Sequence, residues 1–327
     1  MKRFFIIYTV LIGAAIGVFW LFGQTYTAEY QTDATIAFVV QEQQGVWDIA
    51  SNLSQDDLIG SRPSFLLYSV LAGKFSAFKP GTYFLSPSFS IRDIVRVLTG
   101  GPEEVKVVLY PGMTLKEMDD YFTERGFITE GELADADVNA FKDEYPFLED
   151  AESLEGFLMP DTYHFYPYHN VSVIVHSMLD NFQRRVGDLL EGRDDVERIV
   201  TIASLIEKEV SNTDDKPLVA SVIYNRLSID MPLQIDASVF YGACNGKFKG
   251  CQVSRDQFSN DNPYNLYLYK GLPPAPISNP TATSIQAALY SAQSNYFYYL
   301  SDPDTGATHF SETFDEHDTK RAQYINL

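Results

Sequence analysis

The 327-residue sequence contains little cysteine, little histidine and few basic side chains. Its 24 lysines and arginines are outnumbered by 44 aspartates and glutamates, which gives a formal net charge of −20. Nucleic acids and anionic lipid surfaces attract basic proteins. The charge therefore argues against both as general partners, and we expect no nucleic-acid partner.

Motifs for metals and cofactors are also missing from the sequence. His309 and His317 lie eight residues apart, which matches no common metal-ligand spacing. The sequence shows no phosphate-binding loop, no GxSxG nucleophile motif and no zinc motif. We therefore expect a protein that works without a metal and without a cofactor.

The two cysteines, Cys244 and Cys251, enclose a short loop that contains glycine. Two thiols with no histidine nearby in sequence do not make a structural zinc site. In an oxidising compartment we expect them to form a disulfide. Such a bridge would hold a local loop and take no part in the chemistry.

Long hydrophobic runs are absent except at the N-terminus, where residues 4–22 carry no charge. This length is enough to cross a bilayer as a helix. Lys2 and Arg3 precede the run and acidic residues follow it, which predicts a cytoplasmic N-terminus. The alternative is a signal peptide cleaved after Ala28. The long apolar run and Tyr26 at the −3 position favour a retained anchor over 4–23.

Residues 35–100 show the pattern of a small α+β module. A strand over 35–40 precedes two helical segments, WDIASNL and PSFLLYSVLAGKF. A Pro80-Gly81 turn leads into a second strand, and a further helix ends at Gly100-Gly101. We expect a boundary near residue 103 and a mixed α+β domain over 104–327. Within that domain the acidic stretch 130–150 is expected to be a solvated helical surface.

Two glutamates, Glu207 and Glu209, lie within an apolar pattern of helical spacing. The apolar positions are Ile199, Ile202, Ala203, Ile206 and Val210. This spacing predicts a helix with one buried face and with both glutamates at its edges. A carboxyl group beside apolar surface has a raised pKa and can serve as a general acid. The alternative is a pair of solvated or ion-paired carboxylates, and periodicity does not choose between the two glutamates.

Several ordered motifs resemble those of one enzyme family. They are EGFLMPDTYHF, ASLIEKE, PLVASVIYNRL, MPLQIDASVFYG, NPYNLY, GLPPAPISNP and HFSETFDEH, between Glu155 and His317. In order and spacing they are similar to the endolytic murein transglycosylases of the YceG-like family, and the similarity spans nearly the whole chain. The module before residue 104 resembles, less closely, the LysM-like module of that family. Glycan binding and a purely structural spacer are equally open for it.

The resemblance implies an activity and a location. The first glutamate of IEKE, Glu207, would be the catalytic acid and base that cuts the MurNAc–GlcNAc bond within nascent strands. The products would carry 1,6-anhydroMurNAc ends, and the cut would end strand elongation. The chain would be anchored in the cytoplasmic (inner) membrane with its catalytic domain outside. Its partners would be peptidoglycan strands, the membrane and, as a further option, peptidoglycan synthases.

Eight side chains are predicted to bind the substrate, because they fall in the motifs and carry hydrogen-bonding groups or aromatic rings. They are Tyr224, Asn225, Arg226, Gln234, Asp236, Tyr264, Asn265 and Tyr267. Arg226 has an alternative role, in which it bonds the last carbonyls of its own helix. Asp236 is the best second carboxylate, and its alternative role is to cap a helix that begins near Ala237.

The complete prediction is an α+β protein with four consecutive parts. These are a cytoplasmic tail (1–3), a transmembrane helix (4–23), a LysM-like α+β module (24–103) and a mixed α+β catalytic domain (104–327). Two other functions stay open. One is a muramidase that hydrolyses the same bond with Glu207 and Asp236, since glycoside hydrolases commonly use two carboxylates. The other is a cell-wall-binding scaffold without enzymatic activity.

Overall fold

The structure, a computed structural model, describes residues 36–102, 104–166 and 171–325. They form two compact units. Among the described residues, the first comprises 36–102, 104–105 and 164–166, and the second comprises 106–163 and 171–325. The predicted cytoplasmic tail and transmembrane anchor lie outside the described residues. Within the described part of the chain, no helix is long and apolar enough to cross a membrane.

The first unit follows the predicted order of strand, two helices, strand and helix. Its elements are β1 (Ile36–Val40), α1 (Val46–Gln55), α2 (Arg62–Leu71), β2 (Gly81–Leu85) and α3 (Ile91–Gly100). β1 and β2 pair antiparallel, with Phe38 opposite Tyr83. The likeness of this unit to a LysM module stays a prediction.

Local sequence explains where the helices of the first unit begin and end. The Ser61 hydroxyl accepts a hydrogen bond from the Ser64 amide, and Pro63 lies in the first turn of α2. Ser90 caps α3 in the same way. α3 stops at Gly101, whose φ of 102° suits a residue without Cβ. The helices pack their apolar faces on the sheet in one core, which includes the fully buried Ile49, Leu53, Phe65, Ile94 and Leu98.

The second unit is mostly helical. Two strands, β3 (Val105–Val108) and β4 (Thr162–Phe165), each have residues in both units. The elements wholly within the second unit are α4 (Leu115–Glu124), α5 (Val171–Phe182), α6 (Val196–Glu209), α7 (Lys216–Ser228), α8 (Asp236–Ala243), α9 (Ala282–Leu289), β5 (Tyr298–Ser301), β6 (Thr308–Ser311) and α10 (Phe314–Tyr324). β3 pairs with β4, and β5 pairs antiparallel with β6. Thr114 and Glu117 form a complete capping box at the start of α4.

α6 is the central helix of the second unit. It packs against α7, α8 and α9, and every residue from Ile199 to Ile206 is buried. The predicted single buried face is therefore wrong for the middle of this helix. The small polar residues Thr201 and Ser204 allow burial because Ser204 donates to a carbonyl one turn earlier, at 2.7 Å. Half-buried residues lie at the two ends of α6, at Glu197 in the first turn and in the last turn, which carries the glutamates.

The acidic stretch 130–150 is not the expected helical surface. It forms turns and two short 3-10 helices, Val138–Ala140 and Pro146–Leu148. Apolar side chains between the acidic residues, such as Phe141 and Leu148, are buried. These apolar side chains follow no helical period, which is typical of a segment built from turns. The acidic side chains remain at the surface.

Candidate active site

Glu207 lies in the last turn of α6 and is held by an internal network. Its side chain is 5% exposed, and that of Lys216 at the start of α7 is 4% exposed. The Lys216 Nζ donates to Glu207 Oε1 at 3.0 Å. Glu207 Oε2 accepts from the Thr281 amide at 2.8 Å, the Thr281 hydroxyl at 2.6 Å and the Ser284 hydroxyl at 2.8 Å. This one carboxylate therefore joins α6, α7 and the start of α9.

The partners of Glu207 keep it ionised. Burial raises its pKa, but the hydrogen bonds from Thr281, the charge of Lys216 and the hydrogen bond from Ser284 together outweigh burial. The pKa of Glu207 consequently lies below its ordinary value. The expectation of a raised pKa at this position is wrong, because its environment is polar and cationic. An ionised carboxylate whose oxygens are already occupied is a poor proton donor.

Glu209 is the last residue of α6, and its pKa shifts in the direction opposite to that of Glu207. At 100° per residue its side chain projects about 200° around the helix from Glu207. The Tyr299 hydroxyl donates to Glu209 Oε2 at 2.7 Å. Burial raises the pKa of Glu209 and the charge of Asp236 adds to the rise, while the Tyr299 hydrogen bond and the charge of Arg226 oppose it. The net shift is upward, as a general acid requires.

Asp236 is the first residue of α8 and lies within electrostatic reach of Glu209. Its exposed carboxylate accepts a hydrogen bond from the Tyr267 hydroxyl at 2.6 Å. The described residues show no side-chain bond that caps α8, whose N-cap is Ile235, so the alternative capping role is wrong. Gln234 is exposed two residues earlier, with a φ of 52°. This backbone conformation is uncommon for residues other than glycine and occurs often at functional sites.

Arg226 is a buried side chain that holds two backbone segments near Glu209 through hydrogen bonds. It is only 9% exposed, and burial lowers its pKa. Its Nε donates to the Phe297 carbonyl at 2.7 Å, and its Nη1 donates to the Leu233 carbonyl at 2.6 Å. Both carbonyls lie outside α7, so the alternative role of closing its own helix is wrong. Arg226 instead fixes the segment that leads to Asp236 and the strand that carries Tyr299.

Tyr267 supplies exposed aromatic surface beside Asp236. Its side chain is 37% exposed, and the neighbouring Leu268 and Tyr269 are exposed to similar degrees. Burial of part of the ring and the hydrogen bond to Asp236 raise the pKa of Tyr267 well above its ordinary value, so its hydroxyl stays a donor. A flat aromatic face beside carboxylates suits the stacking and hydrogen bonding of a sugar ring.

The other four predicted binding residues face internal partners. Tyr224 donates to an α9 carbonyl at 2.7 Å, and Asn225 donates to two carbonyls just before β5, each at 2.9 Å. Asn265 has no exposed surface and donates to the Phe258 carbonyl at 3.1 Å. The half-buried ring of Tyr264 packs on Tyr241 at 4.9 Å. These contacts shape the loops around the site.

Glu155 forms a third carboxyl centre, buried behind the site and 4% exposed. Both of its oxygens accept from the Leu115 amide at 3.0 Å. Tyr241 of α8 donates to it at 3.2 Å, and the Asn279 side-chain amide donates at 3.0 Å. Burial raises its pKa to about 8, although the hydrogen bonds from Leu115 and Tyr241 oppose the shift. From the sequence, Glu155 has no predicted role, although it begins the motif EGFLMPDTYHF and lies inside the apolar segment LEGFLM.

Asn279 links Glu155 to the loop that contains Thr281, which donates to Glu207. Its Oδ1 accepts from the amides of Gly156 and Leu158, at 2.9 and 3.0 Å. Gly156 has a φ of 95°, and a Cβ there would lie 2.7 Å from Pro276, so the close approach requires glycine. Asn279 stands two residues before Thr281 and therefore fixes the position of that donor.

Cys244 and Cys251 form a disulfide just after α8, with their Cα atoms 6.0 Å apart. The bridge closes a loop that also contacts α4, where the amides of Phe248 and Lys249 donate to Glu117 at 2.9 Å. No group of histidines, cysteines, aspartates or glutamates within residues 36–102, 104–166 and 171–325 is arranged to hold a metal ion.

Comparison with known proteins assigns this chain to a family. The sequence model of the YceG-like family matches residues 38–323. The endolytic murein transglycosylase of Bacillus subtilis (strain 168) is 30% identical, over 95% of this chain and 91% of that protein. The protein of the same name from Streptococcus pneumoniae serotype 2 is 27% identical, over 88% of this chain and 58% of its own length. The crystal structure of a yceG-like protein from Listeria monocytogenes is 28% identical, covers 88% of this chain and all of that chain, and superposes with a TM-score of 0.60.

Proposed function

Because this chain belongs to the YceG-like family, we propose that it is a lytic transglycosylase that cuts murein glycan strands at internal bonds. Two of its relatives are named endolytic murein transglycosylases. The observation that carries the assignment of the reacting group is the difference between the contacts of two glutamates on one helix turn. Lys216, Thr281 and Ser284 donate to the two oxygens of Glu207, whereas Glu209 accepts from the Tyr299 hydroxyl and lies near Asp236. Glu209 has the raised pKa of an acid, whereas Glu207 is an internally paired anion.

Glu209 is the proposed acid and base. In its protonated form it donates a proton to the oxygen that joins MurNAc to the next GlcNAc, and the bond from that oxygen to the anomeric carbon breaks. Glu209, now a carboxylate, takes the proton of the MurNAc 6-hydroxyl. The oxygen of that hydroxyl then bonds to the anomeric carbon and leaves a 1,6-anhydro end. One carboxyl group suffices because the nucleophile belongs to the substrate and lies close to the reacting carbon.

Asp236 and Tyr267 act beside Glu209. Burial raises the pKa of Glu209 and the negative charge of Asp236 adds to the rise, which favours the acid form. The same charge stabilises the positive charge that develops on the sugar ring as the bond breaks. Tyr267 holds Asp236 in place through the 2.6 Å hydrogen bond and offers its exposed ring to the sugar.

Glu207 has a positioning role in this proposal. Its carboxylate holds the start of α9 and Lys216 against the last turn of α6, directly before Glu209. The resemblance of the sequence implied the catalytic role for Glu207, and its geometry favours the supporting role. Residues 4–23 are proposed to anchor the chain in the cytoplasmic membrane, with the catalytic unit outside and the N-terminus in the cytoplasm.

A muramidase reaction is the second candidate, because the exposed Asp236 carboxylate lies near Glu209. In that reaction Asp236 would activate a water molecule or attack the sugar itself. The muropeptides would then end in a reducing sugar and be heavier by one water than anhydro products. Mass spectrometry of purified sacculi digested by the protein separates the two reactions, and only anhydro ends fit the proposal.

Paired substitutions test the assignment within one helix turn. Glu209→Gln keeps an acceptor for Tyr299 but cannot cycle a proton, so the release of muropeptides should fall at least about 100-fold. For Glu207→Gln, the rate of muropeptide release per folded molecule should stay within about fivefold of the wild-type rate. Glu207 touches no substrate in this proposal, so the variant keeps its acid catalyst, Glu209. Activity near the wild-type level for folded Glu209→Gln contradicts the proposal.

The stability of the two variants is the control. Removing one member of a buried ion pair costs about 3–5 kcal/mol, so Glu207→Gln should unfold at markedly lower denaturant concentration than the wild type. Glu209→Gln should be about as stable as the wild type, because burial disfavours the charge that the substitution removes and glutamine keeps an acceptor for Tyr299. If Glu207→Gln is instead stable and inactive, the first glutamate is the acid and base.

A further inference from the structure

The first unit contains a cavity of about 400 Å³ beside α2 and α3. Its polar lining comes from Lys74, Arg92, Arg96 and Thr99, and its apolar lining includes Val95 and Tyr68. The volume lies in the range of sites that hold small organic molecules and is much larger than a single small ion needs. The candidate active site lies wholly in the second unit, so this cavity is a separate feature of the chain.

Positive charge is concentrated at this cavity. Residues 36–102 carry five basic and five acidic side chains, so this part of the chain is neutral overall. Three of the five basic residues line the cavity, and all three are exposed. Arg96 pairs with Asp93 at 2.9 Å, whereas Lys74 and Arg92 have no ion-pair partner among the described residues. In a chain with a net charge of −20, such a cluster attracts anions to one place.

We propose that this cavity binds the carboxylates of the short acidic peptides that murein carries on its glycan. This inference rests on the proposed function for its choice of ligand. Arg92 and Arg96 can each bind a carboxylate through two parallel hydrogen bonds, and Lys74 adds a point charge. Val95 and the ring of Tyr68 offer apolar contact for the aliphatic parts of the peptide. The unit would then recognise the peptide of its substrate while the other unit cuts the sugar.

Calorimetric titration of the full-length chain in non-ionic detergent tests the proposal. The probe is the synthetic tripeptide N-acetyl-L-Ala-γ-D-Glu-L-Lys, which carries a net negative charge, and a matched probe has both carboxylates converted to amides. Binding of the first peptide should weaken at least tenfold on amidation and weaken again as salt is raised, because charged hydrogen bonds carry it. Equal binding of both peptides, or no binding of the first, overturns the proposal.

Substitutions locate the site. Lys74→Gln and Arg92→Gln together should weaken binding of the tripeptide at least tenfold. Arg62→Gln is the matched control, since Arg62 is an exposed arginine of the same unit that does not line the cavity. Equal affinity of the double variant and the control overturns the proposal. Stronger binding of inorganic phosphate or glycerol phosphate than of the tripeptide also overturns it, because the cavity would then be a phosphate site.

Failure of this inference can be told apart from failure of the proposed function. The titrations are repeated with Glu209→Gln, which should bind the tripeptide as the wild type does. Binding without release of anhydromuropeptides by the wild type would refute the proposed activity and leave the anion site in place. Release of anhydromuropeptides without tripeptide binding would refute the anion site alone.

Discussion

Replacing Glu155 by glutamine should remove a large part of the pH dependence of stability in the second unit. Glu155 is buried, and its oxygens face three hydrogen-bond donors, from Leu115, Tyr241 and Asn279. A glutamine can keep the bonds to Leu115 and Asn279 through its carbonyl oxygen. Its amide group can donate to the Tyr241 hydroxyl oxygen, because a hydroxyl both donates and accepts. The substitution therefore removes a titrating group with little loss of packing.

The magnitude follows from the pKa of Glu155, which burial raises from 4.5 to about 8. Between these values the folded protein keeps the proton on Glu155 and the unfolded chain has lost it. The folded state binds more protons there, so the free energy of unfolding decreases as pH rises, by about 1.4 kcal/mol per pH unit. Over the whole window the loss from this single group reaches about 5 kcal/mol, which is an upper bound.

Urea unfolding of a variant that lacks residues 1–24, from pH 5 to pH 9, measures this effect. The free energy of unfolding of the wild type should fall relative to that of Glu155→Gln between pH 5 and pH 8. Above pH 8 the difference between the two should stay constant. Glu149→Gln is the matched control, because Glu149 is exposed and near in sequence. Parallel stability curves for the wild type and Glu155→Gln would refute the reasoning, since burial would then leave the pKa of Glu155 unchanged.

Three further outcomes are expected. Thiol labelling of the unfolded, unreduced protein should find no free cysteine. Replacing Cys244 and Cys251 by serine should lower the free energy of unfolding by at most about 2–3 kcal/mol, because the bridge closes a short loop, and activity should persist. Asp236→Asn should slow muropeptide release but leave anhydro ends, whereas a two-carboxylate hydrolase would lose its activity. The full-length protein should stay in the membrane fraction after a high-salt wash and become soluble without residues 1–24, and a mature N-terminus near residue 29 would contradict the anchor.

Much of the first unit could be predicted from the sequence, because its signals are local. The serine caps and the terminal Gly101 act within a few residues of where they stand. The capping box of Thr114 and Glu117 also acts over only three residues. The stretch 130–150 was harder because its turns depend on tertiary bonds. Asp119 of α4, for example, accepts from the amides of Gly131 and Leu133, both at 2.9 Å.

The candidate site was only partly predictable, because its electrostatics come from distant segments. Periodicity placed two glutamates at the end of a helix. It could say nothing of Thr281 and Lys216, which lower the pKa of Glu207, or of the burial that raises the pKa of Glu209. Lys216 is nine residues from Glu207, and Thr281 is 74 residues away. No spacing rule connects such positions, and a lysine or a threonine at a helix start is usually solvated.

The difference between Glu207 and Glu209 also explains how activity measurements on this helix must be interpreted. Both glutamates belong to the same turn, so loss of the Glu207–Lys216 pair would disturb the segment that carries Glu209. A variant of Glu207 can therefore be inactive because less of it is folded, and a variant of Glu209 can be inactive although all of it is folded. Rates must be divided by the folded fraction at the assay temperature before either residue is given a role. With that correction a residue that moves protons and a residue that holds the helix give different results, because only the first loses activity in the folded state.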